Sequence, residues 1–154
     1  MPRVSENIAQ RAIRGEFATI VVTTNCSHQL PVWLKRTFPM VVPADSRNNT
    51  PNKLGTVIDT LGFGQHHQTI SVALAYTHLA PIQPSEPYPA ANFTALRQVL
   101  TECCHRYYGT RIGVSVTEIL PGTPDWNQLL DLVRDFSQDN DLHLVIPTLP
   151  DSKH

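Results

Sequence analysis

The 154-residue chain lacks an excess of charge of either sign, since its Lys and Arg number 12 and its Asp and Glu 13, and it contains no basic tract. Proteins that bind nucleic acid by neutralising phosphates need clustered positive charge, so this class of function is disfavoured. No apolar run is long enough to span a membrane, and residues 1–15 contain no signal-peptide core. These absences predict a cytoplasmic protein that binds neither nucleic acid nor a membrane.

Cysteine is scarce as well. Cys103 and Cys104 are adjacent and Cys26 is distant, which is neither a metal-binding spacing nor a disulfide framework. We therefore expect free, partly buried thiols, no metal ion and no cofactor.

Hydrophobic patterns predict alternating strands and helices in one domain spanning residues 1–154. The predicted strands are Ala18–Thr24, Leu54–Leu61, Thr69–Tyr76, Ile112–Val116 and Leu142–Ile146, and the predicted helices are Leu30–Phe38, Ala91–Tyr108 and Asp125–Phe136. The order β–α–β–β–α–β–α–β predicts an α/β fold with a mixed sheet and helices on both faces. The proline-punctuated segments Pro39–Pro51 and Thr77–Pro89 are predicted loops. Residues 1–14 and 151–154 are expected to be disordered, although an additional N-terminal element is also compatible with the pattern.

The loop Thr117–Thr123 connects a predicted strand to a predicted helix that starts close to Trp126. In open α/β sheets such loops lie at the carboxyl edge, where ligands usually bind. The N-terminus of a helix also presents free N–H groups and a positive dipole end to anions. This loop is therefore the first candidate for a ligand site.

Several short stretches match, in order and spacing, a pattern that runs from about Gly15 to Leu149. They are Gly15–Phe17, Asn25–Cys26, Lys35–Pro39, Leu54–Gly55, Phe93–Leu96 and Asp125–Trp126. In this order the chain resembles the macro domain family, in particular the compact branch of terminal ADP-ribose glycohydrolases and ADP-ribose-phosphate phosphatases. The resemblance implies a three-layer α/β/α fold with a mixed sheet. It also implies binding of ADP-ribose or a related nucleotide, with ADP-ribosyl hydrolase or phosphatase activity as a further option.

Macro domains hold ADP-ribose with two loops whose glycines let backbone N–H groups approach the diphosphate. The first loop follows the Asn-Cys segment, and the second precedes the Trp-led helix. The resemblance therefore implies a ligand site made of Glu16, Asn25, Cys26, Ser27, His28, Thr117, Glu118, Ile119, Leu120, Gly122 and Thr123. In this set Glu16 would contact the adenine and His28 a ribose hydroxyl or phosphate. An ordinary turn carboxylate and an exposed loop histidine explain these two residues as well.

Both loops depart from the family pattern. The first, Ser27–Gln29, contains no glycine, and the second has Glu118 and Leu120 where glycines are expected. Pro121 also lacks an N–H donor. A carboxylate beside a diphosphate is repulsive by on the order of one kcal/mol or more. The pocket chemistry is therefore predicted to be degraded or rebuilt.

No catalytic residue is assigned. Where the glycohydrolase branch has a lysine after the hairpin and an aspartate in the second loop, this chain has Tyr76–His78 and Gly122. His78 could replace the lysine as a proton-transferring group, whereas Asp125 is expected to cap a helix.

Three functions remain open. The chain binds ADP-ribose or a related nucleotide, it binds a different ligand such as another nucleotide or a small anion in a rebuilt pocket, or it binds no nucleotide at all. In the third, a degenerate scaffold binds or inhibits a protein partner through Pro81–Pro89 and the altered loops.

Overall fold

A computed structural model describes residues 7–26, 30–46, 53–78 and 91–146. In chain order the helices and strands of these ranges are α1 (Ile8–Ile13), β1 (Thr19–Asn25), α2 (Val32–Thr37), α3 (Val41–Ser46), β2 (Val57–Phe63), β3 (Thr69–His78), α4 (Phe93–Arg106), β4 (Ile112–Ser115), α5 (Pro124–Ser137) and β5 (Leu142–Leu144). The strands form one sheet in the order β2-β3-β1-β4-β5. Strands β1, β3, β4 and β5 are parallel, and β2 is antiparallel to β3. The predicted mixed α/β sheet is confirmed.

Two hydrophobic clusters cover the two faces of this sheet. Leu96 and Leu129, from α4 and α5, belong to one cluster together with Val21. Residues of α1, α2 and α3 form the other cluster with Ile20 and Val22. Because successive residues of a strand point to opposite faces, β1 contributes to both clusters and is buried at every position. The layers are therefore α1–α3, the sheet, and α4 with α5.

Helix α1 corrects the expectation of disorder over residues 1–14. The side chain of Asn7 accepts a hydrogen bond from the N–H of Gln10, and the side chain of Gln10 accepts one from the N–H of Asn7. This capping box satisfies donors that a helix start leaves without partners. Ile8, Ala9 and Ala12 are buried against the core. The cap and the apolar face together explain the helix, while residues 1–6 and 147–154 lie outside the described ranges.

Helix α3 corrects the expectation of a loop over Pro39–Pro51. Pro43 is the third residue of α3, within the first turn, where a backbone N–H has no partner inside the helix. Proline is tolerated there because it removes no helical hydrogen bond. Val41 and Ala44 are buried and form the inner face of α3.

The remaining predicted helices and strands are confirmed, with ends displaced by a few residues. Helix α5 begins with Pro124 at its first position, where proline is favoured. Its buried face is formed by Leu129, Leu132 and Val133, whereas Leu130 is 37% exposed.

Candidate functional site

The carboxyl ends of three adjacent parallel strands meet at one edge of the sheet. Strand β1 ends at Asn25, β3 ends at His78, and β4 is followed by the loop Thr117–Thr123. The strand register pairs Asn25 with His78, and the N–H of Cys26 donates to the carbonyl oxygen of His78 at 3.0 Å. This is the edge where open α/β sheets bind ligands. The structure therefore brings Asn25 and Cys26 to the same edge as Thr117–Thr123.

Glu118 is folded beneath its loop and is only 5% exposed. Its Oε1 accepts a hydrogen bond from the hydroxyl of Thr23 at 2.6 Å, and its Oε2 accepts one from the hydroxyl of Thr77 at 2.5 Å. The Nδ1 atom of His78 lies 3.6 Å from the same Oε2. Residues from β1, β3 and the loop after β4 thus converge on one carboxylate. We call these four residues the Glu118 cluster.

The Glu118 carboxylate is charged. Burial alone would raise the pKa of Glu118, but the interactions with His78, Thr23 and Thr77 outweigh it and lower the pKa below the ordinary 4.5. A buried charge is stable only where hydrogen bonds replace its water. Two hydroxyls and an imidazole provide that replacement.

The hydrogen bonds of the Glu118 cluster determine which ring nitrogen of His78 carries a proton. The single hydroxyl hydrogen of Thr77 is donated to Glu118. The Thr77 oxygen lies 3.1 Å from Nδ1 of His78, and it must therefore accept a hydrogen bond from Nδ1–H. Nδ1 carries the hydrogen, and Nε2 is the basic nitrogen of the neutral ring. Nε2 has no hydrogen-bond partner among the residues that the structure describes, and 16% of the His78 side chain is exposed.

The loop is also anchored at its first residue. The N–H of Thr117 donates to the hydroxyl oxygen of Thr23 at 2.8 Å, and the hydroxyl of Thr117 donates to the carbonyl of Thr23 at 2.9 Å. These bonds attach the start of the loop to the middle strand of the sheet.

The end of the loop is closed by a turn. Both the N–H and the hydroxyl of Thr123 donate to the carbonyl of Leu120, and Gly122 has a φ of 88°. Such a conformation favours glycine. Ile119 is 2% exposed and packs into the α4–α5 cluster. None of the internal bonds of the loop uses the N–H groups of residues 118–120, so these donors are not consumed by the described part of the fold.

A second buried polar cluster lies on the other face of β3, and the sequence analysis did not find it. Nζ of Lys53 is fully buried, 3.5 Å from Oδ1 of Asp45 and 4.3 Å from the ring centroid of Tyr76. The hydroxyl of Tyr76 donates to the same Asp45 oxygen at 2.5 Å. We call these three residues the Lys53 cluster. A single lysine before Leu54 and Gly55 carries no periodic signal, so no pattern marked it.

The three cysteines are free thiols, as predicted. Burial raises the pKa of Cys103 to about 12 and also raises that of Cys104. Burial raises the pKa of Cys26 too; Lys53 opposes this shift and Asp45 adds to it. A protonated thiol is a poor nucleophile, so Cys26 contributes a packing group to the edge rather than a reactive one.

Glu16 lies at the opposite edge of the sheet. It precedes β1, whereas Asn25 ends it, and a strand of that length separates the two residues by about 20 Å. The carboxylate of Glu16 pairs with Arg11 at 2.5 Å and with Arg14 at 3.0 Å. The structure therefore does not bring Glu16 together with the other predicted site residues, and it serves as a turn carboxylate.

The remaining predictions divide into two groups. Asp125, expected to cap α5, instead accepts a hydrogen bond from the N–H of Ala91 at 3.0 Å, and Thr123 is the N-cap residue. Ser27, His28 and Pro81–Pro89 lie outside the described residues.

Within the described ranges no helix has the length and apolar character to cross a bilayer, and no group of three His, Cys, Asp or Glu side chains could hold a metal ion.

Solved structures of macrodomains are similar to this chain in fold. The macrodomain of Thermus aquaticus DarG matches with a TM-score of 0.60 and 16% identity, over 88% of this chain and 93% of that chain. A macrodomain protein from Streptomyces coelicolor matches with a TM-score of 0.57 and 14% identity, over 84% of this chain and 88% of that chain.

The same fold also occurs within a larger enzyme. A leucyl aminopeptidase from Leishmania major matches 86% of this chain with 27% of its own, at a TM-score of 0.50 and 17% identity. No protein-family model and no curated protein matches the sequence. Because one fold serves different proteins, function has to be argued from the site. The chain has a macrodomain-like three-layer α/β/α fold.

Proposed function

We propose that the chain binds ADP-ribose or a related nucleotide diphosphate at the carboxyl edge, between Cys26 and the loop Thr117–Thr123. The observation that carries this proposal is the architecture of that loop. It is anchored from below through Thr117 and Glu118, it turns at Gly122, and it leads into the 14-residue helix α5. Backbone donors at the start of a helix suit a phosphate group. The macrodomain-like fold supports the same location.

The inward position of Glu118 removes one objection to this function. A glutamate at a glycine position predicts repulsion of a diphosphate, but the carboxylate is buried beneath the loop and hydrogen-bonded to two hydroxyls. Its charge acts on a ligand from behind the loop rather than in direct contact with it.

Binding is better supported than hydrolysis. Gly122 occupies the position where the family resemblance implies an acidic catalytic residue, and a glycine has no side chain to transfer a proton. Among the described residues of the edge, His78 has a side chain that is suited to proton transfer. Hydrolysis of ADP-ribosylated substrates is therefore measured in parallel, and we expect binding without turnover.

The test is a calorimetric titration with ADP-ribose, compared with ADP-ribose phosphate, NAD and AMP. A ligand that binds only the folded state raises its stability, by about 2.7 kcal/mol at a hundredfold excess over the Kd. We expect saturable binding of ADP-ribose and a matching increase in the melting temperature. A flat titration up to millimolar ADP-ribose would contradict the proposal.

Two leucine variants form a matched pair. Leu120 is half-buried in the loop, and Leu130 is 37% exposed on α5. Leu120→Glu introduces a negative charge next to the proposed diphosphate, so we expect it to weaken ADP-ribose binding at least tenfold. Leu130→Glu introduces the same charge away from the edge, and the affinity should stay unchanged. Equal effects of both substitutions would place the ligand elsewhere.

A further inference from the structure

Strand β2 forms one edge of the sheet, and among the described residues no further strand pairs with it. Natural proteins protect such edges with lysine or proline, with β-bulges or with very short strands. Residues Val57–Phe63 contain neither lysine nor proline, and all seven pair with β3 without a register shift. The opposite edge differs, because β5 has only three residues and its central His143 pairs with the exposed Asp141. Of the two edges, β2 is therefore the one that is open to another strand.

The register with β3 determines which backbone groups of β2 lie at this edge. Directly after the strand, the N–H of Gly64 donates to the carbonyl of Gln68 at 2.9 Å. Bonded and non-bonded residues alternate in an antiparallel pair, so the even-numbered residues of β2 bond to β3. The N–H and carbonyl groups of Val57, Leu61 and Phe63 therefore point away from β3. Among the described residues, no backbone hydrogen bond outside the sheet uses the groups of these three.

The side chains of the odd-numbered residues form a row on the α4 side of the sheet. Val57 belongs to the α4–α5 cluster, and the carboxylate of Asp59 accepts a hydrogen bond from the hydroxyl of Tyr107 at 3.0 Å. Tyr107 is the C-cap residue of α4, so the helix ends close to Asp59. The next two side chains of the row, Leu61 and Phe63, are 54% and 67% exposed. Exposed large apolar side chains beside unpaired backbone groups are typical of an interaction surface.

We propose that β2 is a self-association edge, at which the β2 strands of two copies of the chain pair antiparallel about a two-fold axis at Thr60. A two-fold axis presents the same strand to each copy in the opposite direction, so the outward donors of one copy meet the outward acceptors of the other. The result is one continuous sheet that contains the five strands of each copy.

The residues of β2 select this register. Only the odd-numbered residues can bond across the interface, so alternative registers place the axis at a neighbouring odd-numbered residue or at a more distant even-numbered one. An axis at Asp59 would place two carboxylates opposite each other, which is repulsive. An axis at Leu61 would move Val57 beyond the end of the partner strand. With the axis at Thr60 all seven residues are paired, and the cross-strand pairs are Thr60 with Thr60, Val57 with Phe63, Ile58 with Gly62, and Asp59 with Leu61.

This pairing covers the apolar side chains that the single copy leaves exposed. Phe63 lies beside Val57 of the second copy, and Leu61 lies beside Asp59 of the second copy. Two paired strands of seven residues form a small interface, and small interfaces associate weakly. We therefore expect a dimer that dissociates in the micromolar range rather than a permanent one. The inference does not depend on the proposed nucleotide ligand.

The first experiment is sedimentation equilibrium of the full chain from micromolar to millimolar concentration. We expect the average mass to rise from 17.2 kDa towards twice that value as the concentration increases. A mass that stays monomeric over the whole range would overturn the proposal, and the edge would then be left to a strand of another protein.

Two substitutions of Leu61 test the register. Leu61 is opposite Asp59 of the second copy, so Leu61→Asp creates two like-charged pairs across the two-fold axis and should weaken the dimer by about tenfold or more. Leu61→Lys creates two pairs of opposite charge, and it should dimerise more tightly than Leu61→Asp by a similar factor. Because Leu61 is exposed, both variants should fold, which urea denaturation verifies. Equal weakening by both substitutions would overturn the proposed pairing.

A matched control is available at the other edge of the sheet. Ile146 follows β5 and is 63% exposed, which is similar to the exposure of Leu61. Ile146→Asp introduces the same charge away from β2, so the dissociation constant of the dimer should stay as in the wild type. A loss as large as that of Leu61→Asp would place the interface at the β5 edge and overturn the proposal.

A cross-link at the axis tests the geometry directly. Thr60 would face Thr60 of the second copy as a non-bonded pair, with Cα atoms about 4.5 Å apart, a separation that a disulfide can bridge. With oxidised glutathione as the oxidant, which is reduced to two thiols, Thr60→Cys should form a covalent dimer. Thr69→Cys, an exposed position of the neighbouring strand β3, should cross-link no faster than the wild type with its three free cysteines. Equal rates for the two variants would indicate random collision and would overturn the pairing at Thr60.

Discussion

The two buried polar clusters meet at the end of one strand and are built on different principles. Tyr76 and Thr77 are consecutive residues of β3 and therefore point to opposite faces of the sheet. The hydroxyl of Tyr76 donates to Asp45 in the Lys53 cluster, and the hydroxyl of Thr77 donates to Glu118 in the Glu118 cluster. Each cluster thus surrounds a carboxylate that is almost inaccessible to water.

Their difference lies in how the negative charge is balanced. Asp45 faces a lysine whose Nζ is fully buried and has no hydrogen-bond partner among the described residues. Glu118 faces two hydroxyls and a histidine that is partly exposed at the sheet edge. Lys53 and Asp45 are both almost inaccessible to water, whereas the Glu118 carboxylate contacts the partly exposed ring of His78. We therefore place the proposed function at the Glu118 cluster.

Breaking the closed pair should have the largest effect. Lys53→Met removes the buried ammonium group 3.5 Å from Asp45, and loss of one partner of a buried pair costs about 3–5 kcal/mol. Urea denaturation measures this free energy of unfolding. Lys35→Met, on the exposed side of α2, should stay within about 0.5 kcal/mol of the wild type.

A double variant tests whether the lysine and the aspartate act as a pair. Lys53→Met with Asp45→Asn removes both charges, so it should destabilise the protein by less than the sum of the single substitutions. Strictly additive losses would show that the two side chains do not depend on each other.

The second prediction compares two neighbouring threonines of β1. Thr23→Val removes a hydroxyl that donates to the charged Glu118, which should cost about 1.5–3 kcal/mol. The buried hydroxyl of Thr24 has no hydrogen-bond partner among the described residues, so Thr24→Val should be neutral or slightly stabilising. Both free energies of unfolding come from the same denaturation experiment. A similar loss for both variants would contradict the geometry of the Glu118 cluster.

The third prediction concerns acid. The folded-state pKa of Glu118 lies below its ordinary 4.5. Its contribution to stability is therefore fully present above pH 4.5 and is lost as the pH falls through the lower, folded-state value. Unfolding measured between pH 7 and 3 should show a smaller decline in stability for Glu118→Gln than for the wild type.

An exposed carboxylate serves as the control for the acid experiment. The pKa of Asp141 is lowered too, by His143 and Arg111, but this group is on the surface. Added salt should screen the contribution of Asp141 to the free energy of unfolding and leave the contribution of Glu118 unchanged. If salt removed the whole difference between Glu118→Gln and the wild type, the carboxylate of Glu118 would have to be accessible to solvent.

The smallest effect is expected at two glycines in the left-handed region. Gly122 and Gly109 have φ values of 88° and 87°, and a Cβ at either would meet no atom within 4 Å. Alanine should cost about 1 kcal/mol at both positions, from backbone strain alone. Only Gly122→Ala should also weaken ADP-ribose binding, because only Gly122 lies in the loop. Unequal melting temperatures of the two variants would indicate an additional clash.

All five strands and the two long helices could be predicted from sequence, whereas two of the three six-residue helices were missed. Strand β1 begins with six consecutive β-branched residues. Helices α4 and α5 contain 14 residues each, so their hydrophobic periodicity is well sampled. Helices α1 and α3 contain six residues each, a length that gives only a weak periodic signal. The Asn-x-x-Gln capping box at Asn7 was the one local feature that could have revealed α1.

The strand–loop–helix unit that contains the candidate site could be predicted from the sequence, but the internal contacts of its loop could not. The loop Thr117–Thr123 was identified from the strand–loop–helix order alone. The direction of the Glu118 side chain depends on Thr23 and Thr77, which are 95 and 41 residues away in the chain. Lys53 depends in the same way on Asp45 and Tyr76. Such contacts exist only after the strands have been placed side by side.

The anchor beneath the loop has a consequence for the entropy of binding. The Glu118 carboxylate and the Thr117 backbone attach the loop to two strands before any ligand arrives. The conformational freedom of these residues is therefore lost when the protein folds rather than when a ligand binds. A pre-organised loop of this kind has less order to gain on association, which leaves more of the contact energy for affinity. Glu118, the residue that most clearly departs from the macro domain pattern, therefore also fixes the conformation of the loop before a ligand binds.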